Sequence, residues 1–318
     1  IKAWVKQGAQ YDGEDPKTNL RVLTGGEAHK GAEPSKAVEV MNRTGKETIS
    51  FANDVAPILV ANCNGCHYAG NRPSGGLNFT NFNGLLKGGT TGPAIAPKQG
   101  KESLLVKKLL GEAGQRMPAG GRPALKPEEI ETITKWIDEG ATFDGDNRDS
   151  QLDSVIAKSW AAKANHKELM DKRMSRARDR WKIVSPTGAA DEVSNEEFQV
   201  IGNVGQAGVE QVLAAANAAA KSIRKQFKIN SREPLVRGGV TIYALKSRYD
   251  YSELGKMMEK RGLPPDWSSH WKRDVLDLYV AMIPDKSNSK LNESALVQQL
   301  TSAWMASHEG VQIGRAHV

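Results

Sequence analysis

The strongest chemical signal in the chain is one short segment, Cys-Asn-Gly-Cys-His, at positions 63–67. It contains Cys63 and Cys66, the only two cysteines of the sequence, and His67 follows directly. A CxxCH segment is the attachment pattern of a c-type haem, in which both sulfurs add to vinyl groups and the adjacent imidazole binds the iron. On a helical turn, this spacing lets two thiols and one imidazole reach the same macrocycle. The pattern therefore predicts one covalent haem c.

Two other uses of a CxxC pair remain open at this point, a redox-active dithiol and half of a zinc site. A zinc site would need further Cys or His residues nearby, and the closest other histidines along the chain are His29 and His166. A thioredoxin-like motif would need a preceding strand in a βαβ setting, and the sequence before position 63 does not indicate one.

A sixth ligand to the iron is predicted at Met117, which lies fifty residues after His67 in the loop segment QRMPAGGRPAL. A single Met in a loop is most often a gap filler. A Met-Pro pair bracketed by glycines, in a unit that already carries CxxCH, favours axial ligation instead. His/Met coordination raises the haem potential and closes the sixth position, which favours electron transfer over the binding of a gas or a peroxide.

The segments that carry a family resemblance are SFANDVAPILVANCNGCH, GGLNFTNFNGLLKGG, GPAIAPKQGKESLLVKKL and RMPAGGRPALKPEEIETITKWIDEGA. Together they resemble the planctomycete-type cytochrome c domain over residues 48–145. The resemblance implies that Cys63 and Cys66 hold the haem, with His67 as proximal and Met117 as distal ligand. It also implies a redox partner protein and a periplasmic or otherwise extracytoplasmic location, where haem is joined to CxxCH.

Helices are expected to position these residues. ISFANDVAPILVANC, residues 102–111 and residues 126–140 have helical patterns, with Pro127 in the first turn of the third helix and Gly140 as its stop. Loops rich in Gly and Pro join them, and they show little strand signal. A small helical unit with so many loops usually needs a further component in its core.

Composition divides the chain into a linker at 14–47, a cytochrome c domain at 48–145, a second linker at 146–162 and a second unit at 163–312. Residues 1–13 align without gaps on residues 133–145, so we interpret them as the tail of an upstream cytochrome-c-like repeat. Residues 313–318 resemble a translated sequencing adapter and are set aside as an adapter-derived tail. The expected fold class is multidomain: an all-α cytochrome c domain followed by an incomplete α+β domain.

The second unit alternates predicted helices and strands. Helices are expected at 165–182, 208–227, 249–262 and 292–307, and strands at 196–203, 238–246 and 274–284. Asn292 is expected to be the N-cap of the last helix and Gly262 the end of the third.

The phrases VTIYALKSRYDYSELG and ALVQQLTSAWMASHEGV resemble the start of a peptidase-MA-like, gluzincin-type domain. Such an enzyme needs HExxH on one helix, because histidines at i and i+4 share a face with the general base between them. The corresponding residues here are Gln298, Gln299, Leu300, Thr301 and Ser302. His308 and Glu309 form an HE pair that lacks the second histidine. We therefore expect a truncated, non-catalytic module that binds a peptide or protein ligand.

The net charge of +7 does not indicate nucleic-acid binding. Residues 1–150 carry 19 basic and 18 acidic residues, whereas residues 151–318 carry 25 and 19. Much of the excess falls on the helix predicted at 165–182, where Met170, Met174 and Trp181 occupy apolar positions and we expect a solvated basic face. No segment reaches the roughly 18 to 20 unbroken apolar residues of a membrane-spanning helix.

These patterns together predict an electron-transfer protein and no enzyme. Two alternatives come from other functional classes: a zinc peptidase with a cytochrome appendage, and a structural envelope protein in which haem only stabilises the fold.

Overall fold

The computed structural model describes residues 38–68, 73–186 and 188–308. The chain divides into two compact units, and the division falls between Val155 and Ile156. The predicted upstream repeat at 1–13 and the predicted adapter tail at 313–318 lie outside the described residues, as does most of the linker predicted at 14–47.

The first unit is helical, as expected for residues 48–145. Its α-helices are α1 (Ala56–His67), α2 (Phe82–Lys87), α3 (Leu104–Leu110) and α4 (Pro127–Asp138). A π-helical turn at Phe51–Val55 leads directly into α1, and a short 3-10 turn spans Ser74–Gly76. Within the described part of this unit, β-pairing is limited to isolated bridges, one of which joins Gly89 to Gly92. The six-residue α2 was not predicted.

An aromatic cluster forms the core of the first unit. The ring of Phe51 lies 4.7 Å from that of Phe82 and 5.2 Å from that of Trp136, between ring centroids. All three side chains are fully buried, and each aromatic side chain of this kind contributes roughly 1.5–3 kcal/mol of transfer free energy. The indole Nε1 of Trp136 donates a hydrogen bond to the Thr142 carbonyl at 2.9 Å. The core therefore ties the turn before α1 to the helix that ends the unit.

A carboxylate completes this connection. Asp144 accepts hydrogen bonds from the Ser50 hydroxyl and from the Ala52 backbone N–H, the latter at 2.8 Å. Trp136 and Asp144 are among the residues that recur in the alignment of 1–13 on 133–145. Two of the recurring residues therefore tie this unit to the turn before α1.

The division between the two units falls inside the linker predicted at 146–162, and the second half of this segment forms helix α5 (Leu152–Lys163). Leu152 and Val155 are buried along this helix. The sequence did not predict this helix, because polar residues surround Leu152 and Val155 and the segment contains few large apolar side chains.

The second unit contains a five-stranded mixed sheet flanked by helices. Its helices are α6 (His166–Val184), α7 (Gln206–Phe227), α8 (Arg248–Glu259) and α9 (Ser289–His308). Its strands are β1 (Asp191–Ser194), β2 (Phe198–Gly202), β3 (Val240–Ala244), β4 (Ser269–Arg273) and β5 (Leu278–Met282). The strand order is β1-β2-β3-β5-β4, with β2, β3 and β5 parallel and both edge strands antiparallel to their neighbours. The expectation of a mixed helix and strand unit is confirmed.

The three parallel strands are buried along their whole length, and their side chains alternate between two cores. Val200, Ile242 and Val280 pack with apolar residues of α7 and α9 on one face. Tyr243 and Tyr279 pack with residues of α6 and α8 on the other. The unit therefore has three layers, with the sheet in the middle.

Two predicted helix boundaries are wrong. Helix α8 ends at Glu259, before the predicted Gly262, because Lys260 already has a left-handed backbone with φ of 57°. Helix α9 begins at Ser289, so that Asn292 lies inside it and is not its N-cap. The Asn292 side chain instead accepts a hydrogen bond from the Asp285 N–H and donates one to the Asp285 carbonyl, each at 2.8 Å.

The basic helix α6 is less solvated than its sequence suggests. The Arg176 guanidinium forms a bidentate pair with Asp277, both distances being 2.8 Å, and Arg180 also bonds this carboxylate. Arg173 donates to the backbone carbonyls of Leu276 and Gly239. These arginines hold α6 to the loops at one end of the sheet, which is a structural use of the positive charge.

Glu259, at the end of α8, is the centre of a buried polar network. Its side chain is fully buried and accepts hydrogen bonds from His270 Nε2 at 2.6 Å and from the Tyr279 hydroxyl at 2.7 Å. The second ring nitrogen of His270 bonds the Tyr251 hydroxyl, and Arg261 reaches the other carboxylate oxygen. Burial alone would raise the pKa of Glu259, but the hydrogen bonds from His270 and Tyr279 lower it to about 2.

We predict that Glu259→Gln lowers the free energy of unfolding of the second unit by roughly 3 kcal/mol at pH 7. The substitution removes the negative charge that the buried partners of Glu259 face. Since the carboxyl pKa falls from 4.5 to about 2 on folding, its contribution is present above pH 4.5 and is lost as the pH falls toward 2. The difference between the two proteins should therefore shrink over that interval. Hydrogen-exchange mass spectrometry of residues 240–282 measures it.

Glu253→Gln on the same helix is the matched control. Its partner Lys256 is 62% exposed, so its loss should change stability by less than about 1 kcal/mol. Equal effects of the two variants would contradict a special role for Glu259.

Candidate functional site

The Cys-Asn-Gly-Cys-His segment forms the last turn of α1. The helix starts at Ala56 with Pro57 in its first turn, and the Tyr68 N–H bonds the Asn64 carbonyl at its end. Because Cys63 and His67 are four residues apart, they lie on the same face of the helix. Cys63, Cys66 and His67 all line one cavity.

This cavity has a volume of about 280 Å³ and a predominantly apolar wall. Leu77, Phe79, Leu105 and Leu109 contribute to that wall. Met117 also lines it. The structure therefore brings the residue predicted as sixth ligand to the same cavity as the CxxCH segment.

A backbone carbonyl holds the imidazole of His67. His67 Nδ1 lies 3.2 Å from the Leu77 carbonyl oxygen, and because a carbonyl only accepts, Nδ1 is the protonated nitrogen of this contact. In the neutral ring, Nε2 then keeps its lone pair for a metal. The ring also meets Phe79 edge-on, with 5.5 Å between centroids. The segment 77–79 thus fixes both the tautomer and the orientation of His67.

The two cysteines differ in their surroundings. Cys63 is half-buried and Cys66 is exposed. Burial raises the pKa of the Cys63 thiol to about 12, although the positive charge of Arg122 opposes this rise. A redox-active CxxC needs a thiol with a lowered pKa, so Cys63 does not fit that alternative. Among the residues that the structure describes, no group of three or more His, Cys, Asp or Glu side chains could hold a metal ion.

The loop after α3 positions Met117. The Met117 N–H donates to the Lys108 carbonyl at 2.8 Å, which fixes this residue to the end of α3. Farther along the loop, Arg116 Nη2 donates to the Arg122 carbonyl at 3.1 Å. The Met117 backbone is therefore tied to α3, and the Arg116 side chain ties the loop on the other side of Met117.

Two contributors to the site were not predicted from the sequence. The first is the Leu77 carbonyl, which the sequence could not indicate because every residue type has a backbone carbonyl. Arg122 is the other, and it lines the cavity beside the CxxCH turn. A Cβ atom on Gly65 would lie 2.8 Å from Arg122 Nη2. A cation within the glycine-bracketed segment GGRP was a sequence signal that could have indicated Arg122.

The donor set fits a covalently attached haem. Two thiols, an imidazole with a free Nε2 and a thioether line one apolar cavity, and these are the groups that such a haem requires.

Comparison with known families agrees with this chemistry. Residues 63–120 match the family model described as planctomycete cytochrome C. The matched segment is similar to a cytochrome c domain, and it contains the CxxCH residues, Met117 and the loops between them. No curated protein and no solved structure gives a significant match to the chain. The peptidase-MA-like resemblance of the second unit has no support in these comparisons and stays a prediction.

The loop that follows α2 forms part of the cavity wall and depends on Gly88. This residue has φ of +72°, and a Cβ atom there would lie 2.4 Å from the Gly92 carbonyl oxygen and 2.8 Å from Pro93 Cα. We predict that Gly88→Ala destabilises the first unit by about 2 to 4 kcal/mol, since neither backbone neighbour can move freely. The midpoint of thermal unfolding is the measurement.

Gly45→Ala is the control for the backbone conformation alone. Gly45 has φ of +82°, but nothing lies within 4 Å of a Cβ atom there. This substitution should cost only about 1 kcal/mol. Equal midpoints of thermal unfolding for the two variants would show that steric contact at Gly88 does not cause the destabilisation.

Proposed function

We propose that the first unit is a c-type cytochrome domain that binds one haem covalently and transfers electrons. The observation that carries this proposal is the placement of Cys63, Cys66, His67 and Met117 along one apolar cavity, with His67 Nε2 free. When bound, the haem supplies a one-electron couple between Fe(II) and Fe(III). The family match over residues 63–120 supports the same function.

Each of these residues has a separate role in the proposal. Cys63 and Cys66 would hold the haem through thioethers at the end of α1. His67 would ligate the iron through Nε2, and its bond to the Leu77 carbonyl orients the ring. Met117 would be the other iron ligand, and His/Met ligation favours electron transfer over ligand exchange. The apolar wall keeps water away from the metal.

We predict that Met117→Ala converts a six-coordinate low-spin spectrum into one with an open or water-bound site and lowers the reduction potential. Optical spectroscopy and potentiometric titration are the measurements. Met257→Ala, at a methionine of the second unit that is 40% exposed, is the control and should leave both unchanged. An unchanged spectrum in Met117→Ala would exclude this residue as a ligand.

The proposal also places the protein outside the cytoplasm. Within the described residues, no helix is long and apolar enough to cross a bilayer. The location rests on the family resemblance, since haem is joined to CxxCH by machinery on the far side of the membrane. The haem-loaded protein for the Met117 experiment would therefore come from an exported form.

For the second unit we propose a non-catalytic, peptide- or protein-binding role. Helix α9 carries Gln298 and Ser302 where the resemblance would require the two histidines of HExxH. Gln299, in place of the glutamate, donates a hydrogen bond to the Ser269 hydroxyl of β4 at 3.2 Å. Glu309, from the HE pair, lies outside the described residues. A cavity of about 800 Å³ is lined by Ser269 and Gln298 and offers room for a peptide segment.

We predict that the purified protein contains haem iron but no stoichiometric zinc, because Gln and Ser are poor zinc ligands. Elemental analysis of the full chain, with a peptidase assay in parallel, is the measurement. One tightly bound zinc per chain, together with peptidase activity that a chelator removes, would favour the zinc-peptidase alternative.

A further inference from the structure

Arg116, the residue before Met117, directs its side chain into the protein. It is half-buried, whereas Gln115 on one side and Gly120 and Gly121 on the other are exposed. Its Nη1 is fully enclosed and has no hydrogen-bond partner among the residues that the structure describes. A buried donor without an acceptor costs free energy, and native proteins keep few of them. The inward position of Arg116 therefore indicates a structural or functional use.

The loop at 118–125, which follows Met117, has few supports of its own. No backbone–backbone hydrogen bond joins these residues to one another or to the rest of the described chain. Two of them are the adjacent glycines Gly120 and Gly121, which leave the backbone many conformations when nothing restrains it. Only at its far end does the loop bury a side chain among the described residues, that of Leu125. A side-chain bond is therefore needed to close it.

The Arg116 guanidinium makes such a bond. Its Nη2 donates to the Arg122 carbonyl at 3.1 Å and so bridges the residues between them. The stem of the same side chain lies against the end of α3, where a Cβ atom on Gly111 would be 3.5 Å from Arg116 Cβ. One side chain therefore joins the loop to α3.

Met117 depends on this closure. Its N–H donates to the Lys108 carbonyl at 2.8 Å, a bond that anchors the start of the loop but not the part that follows. The thioether belongs to an unbranched side chain with three rotatable bonds. The sulfur therefore stays at the cavity only while the backbone around it keeps its conformation.

We propose that Arg116 is the positioning residue for Met117: by closing the loop at 116–122, it keeps the thioether at the sixth position of the haem iron. The inference rests on the proposed haem binding with Met117 as a ligand. Loss of a hydrogen bond from a charged donor should shift the loop about tenfold toward its open form. In the open form another ligand can take the place of Met117.

Imidazole measures this equilibrium in the Fe(III) holoprotein, because it competes with Met117 for the iron. Its apparent affinity is proportional to the fraction of molecules in which the loop is open. At about pH 8.5 imidazole is largely uncharged, so that losing the charge of Arg116 does not itself attract or repel it. Optical titration gives the dissociation constant for wild type, Arg116→Gln and Arg116→Lys.

We expect Arg116→Gln to bind imidazole about tenfold more tightly than wild type. Arg116→Lys keeps a charged donor but loses the planar guanidinium, so its affinity should rise only about threefold. Arg148→Gln is the matched control. Arg148 is a half-buried arginine of the same unit that lies over the Phe82 ring and does not line the cavity, so its loss should leave the affinity unchanged.

A double-mutant cycle separates the positioning of Met117 from a general loosening of the site. Met117→Ala has no thioether to displace, so adding Arg116→Gln to it should leave its affinity for imidazole unchanged. Thermal unfolding is followed in parallel, because a merely structural role of Arg116 would lower the midpoint without changing the affinity.

Wild-type affinity in Arg116→Gln would overturn the inference, as would an equal effect of this substitution with and without Met117. If Arg116→Gln does not fold, Arg116→Lys is judged by the same two criteria. The proposed function fails separately: an unchanged spectrum in Met117→Ala would refute the ligand, and absence of covalent haem after denaturation would refute haem attachment.

Discussion

The site in the first unit depends on one hydrogen bond, from His67 Nδ1 to the Leu77 carbonyl. It places the proton on Nδ1 and leaves Nε2 with its lone pair in the neutral ring. The rest of the unit keeps the two ends of this bond in place. The aromatic core and the carboxylate of Asp144 secure the turn before α1, and the Phe79 N–H returns to the His67 carbonyl at 2.7 Å.

The sequence indicates the candidate side-chain donors of the site, but it does not indicate which backbone groups take part. CxxCH and the Met-Pro loop indicate candidate donors by residue type, and helical periodicity located α1, α3 and α4. Every residue type has a backbone carbonyl, so only the structure could show that the one of Leu77 bonds His67. The short α2 and the polar α5 were missed because neither has enough apolar residues to reveal a period, and Asn292 was misplaced because a good N-cap residue also serves as a buried hydrogen-bonding group.

The second unit uses polar groups differently. Its sheet is covered on both faces by apolar side chains, and the buried carboxylates of Glu259 and Asp277 each have several donors. In an interior of this kind a carboxylate needs several donors to remain ionised. The same requirement explains why α6 carries so many arginines: they satisfy carboxylates and carbonyls at the end of the sheet. Composition had suggested a solvated face, since it does not record pairing.

The unequal burial of the two cysteines has a consequence for the reactivity of the free thiols. Burial raises the pKa of the Cys63 thiol to about 12. Cys66 is open to solvent. An oxidant or an alkylating reagent that approaches the folded chain therefore meets Cys66 before Cys63.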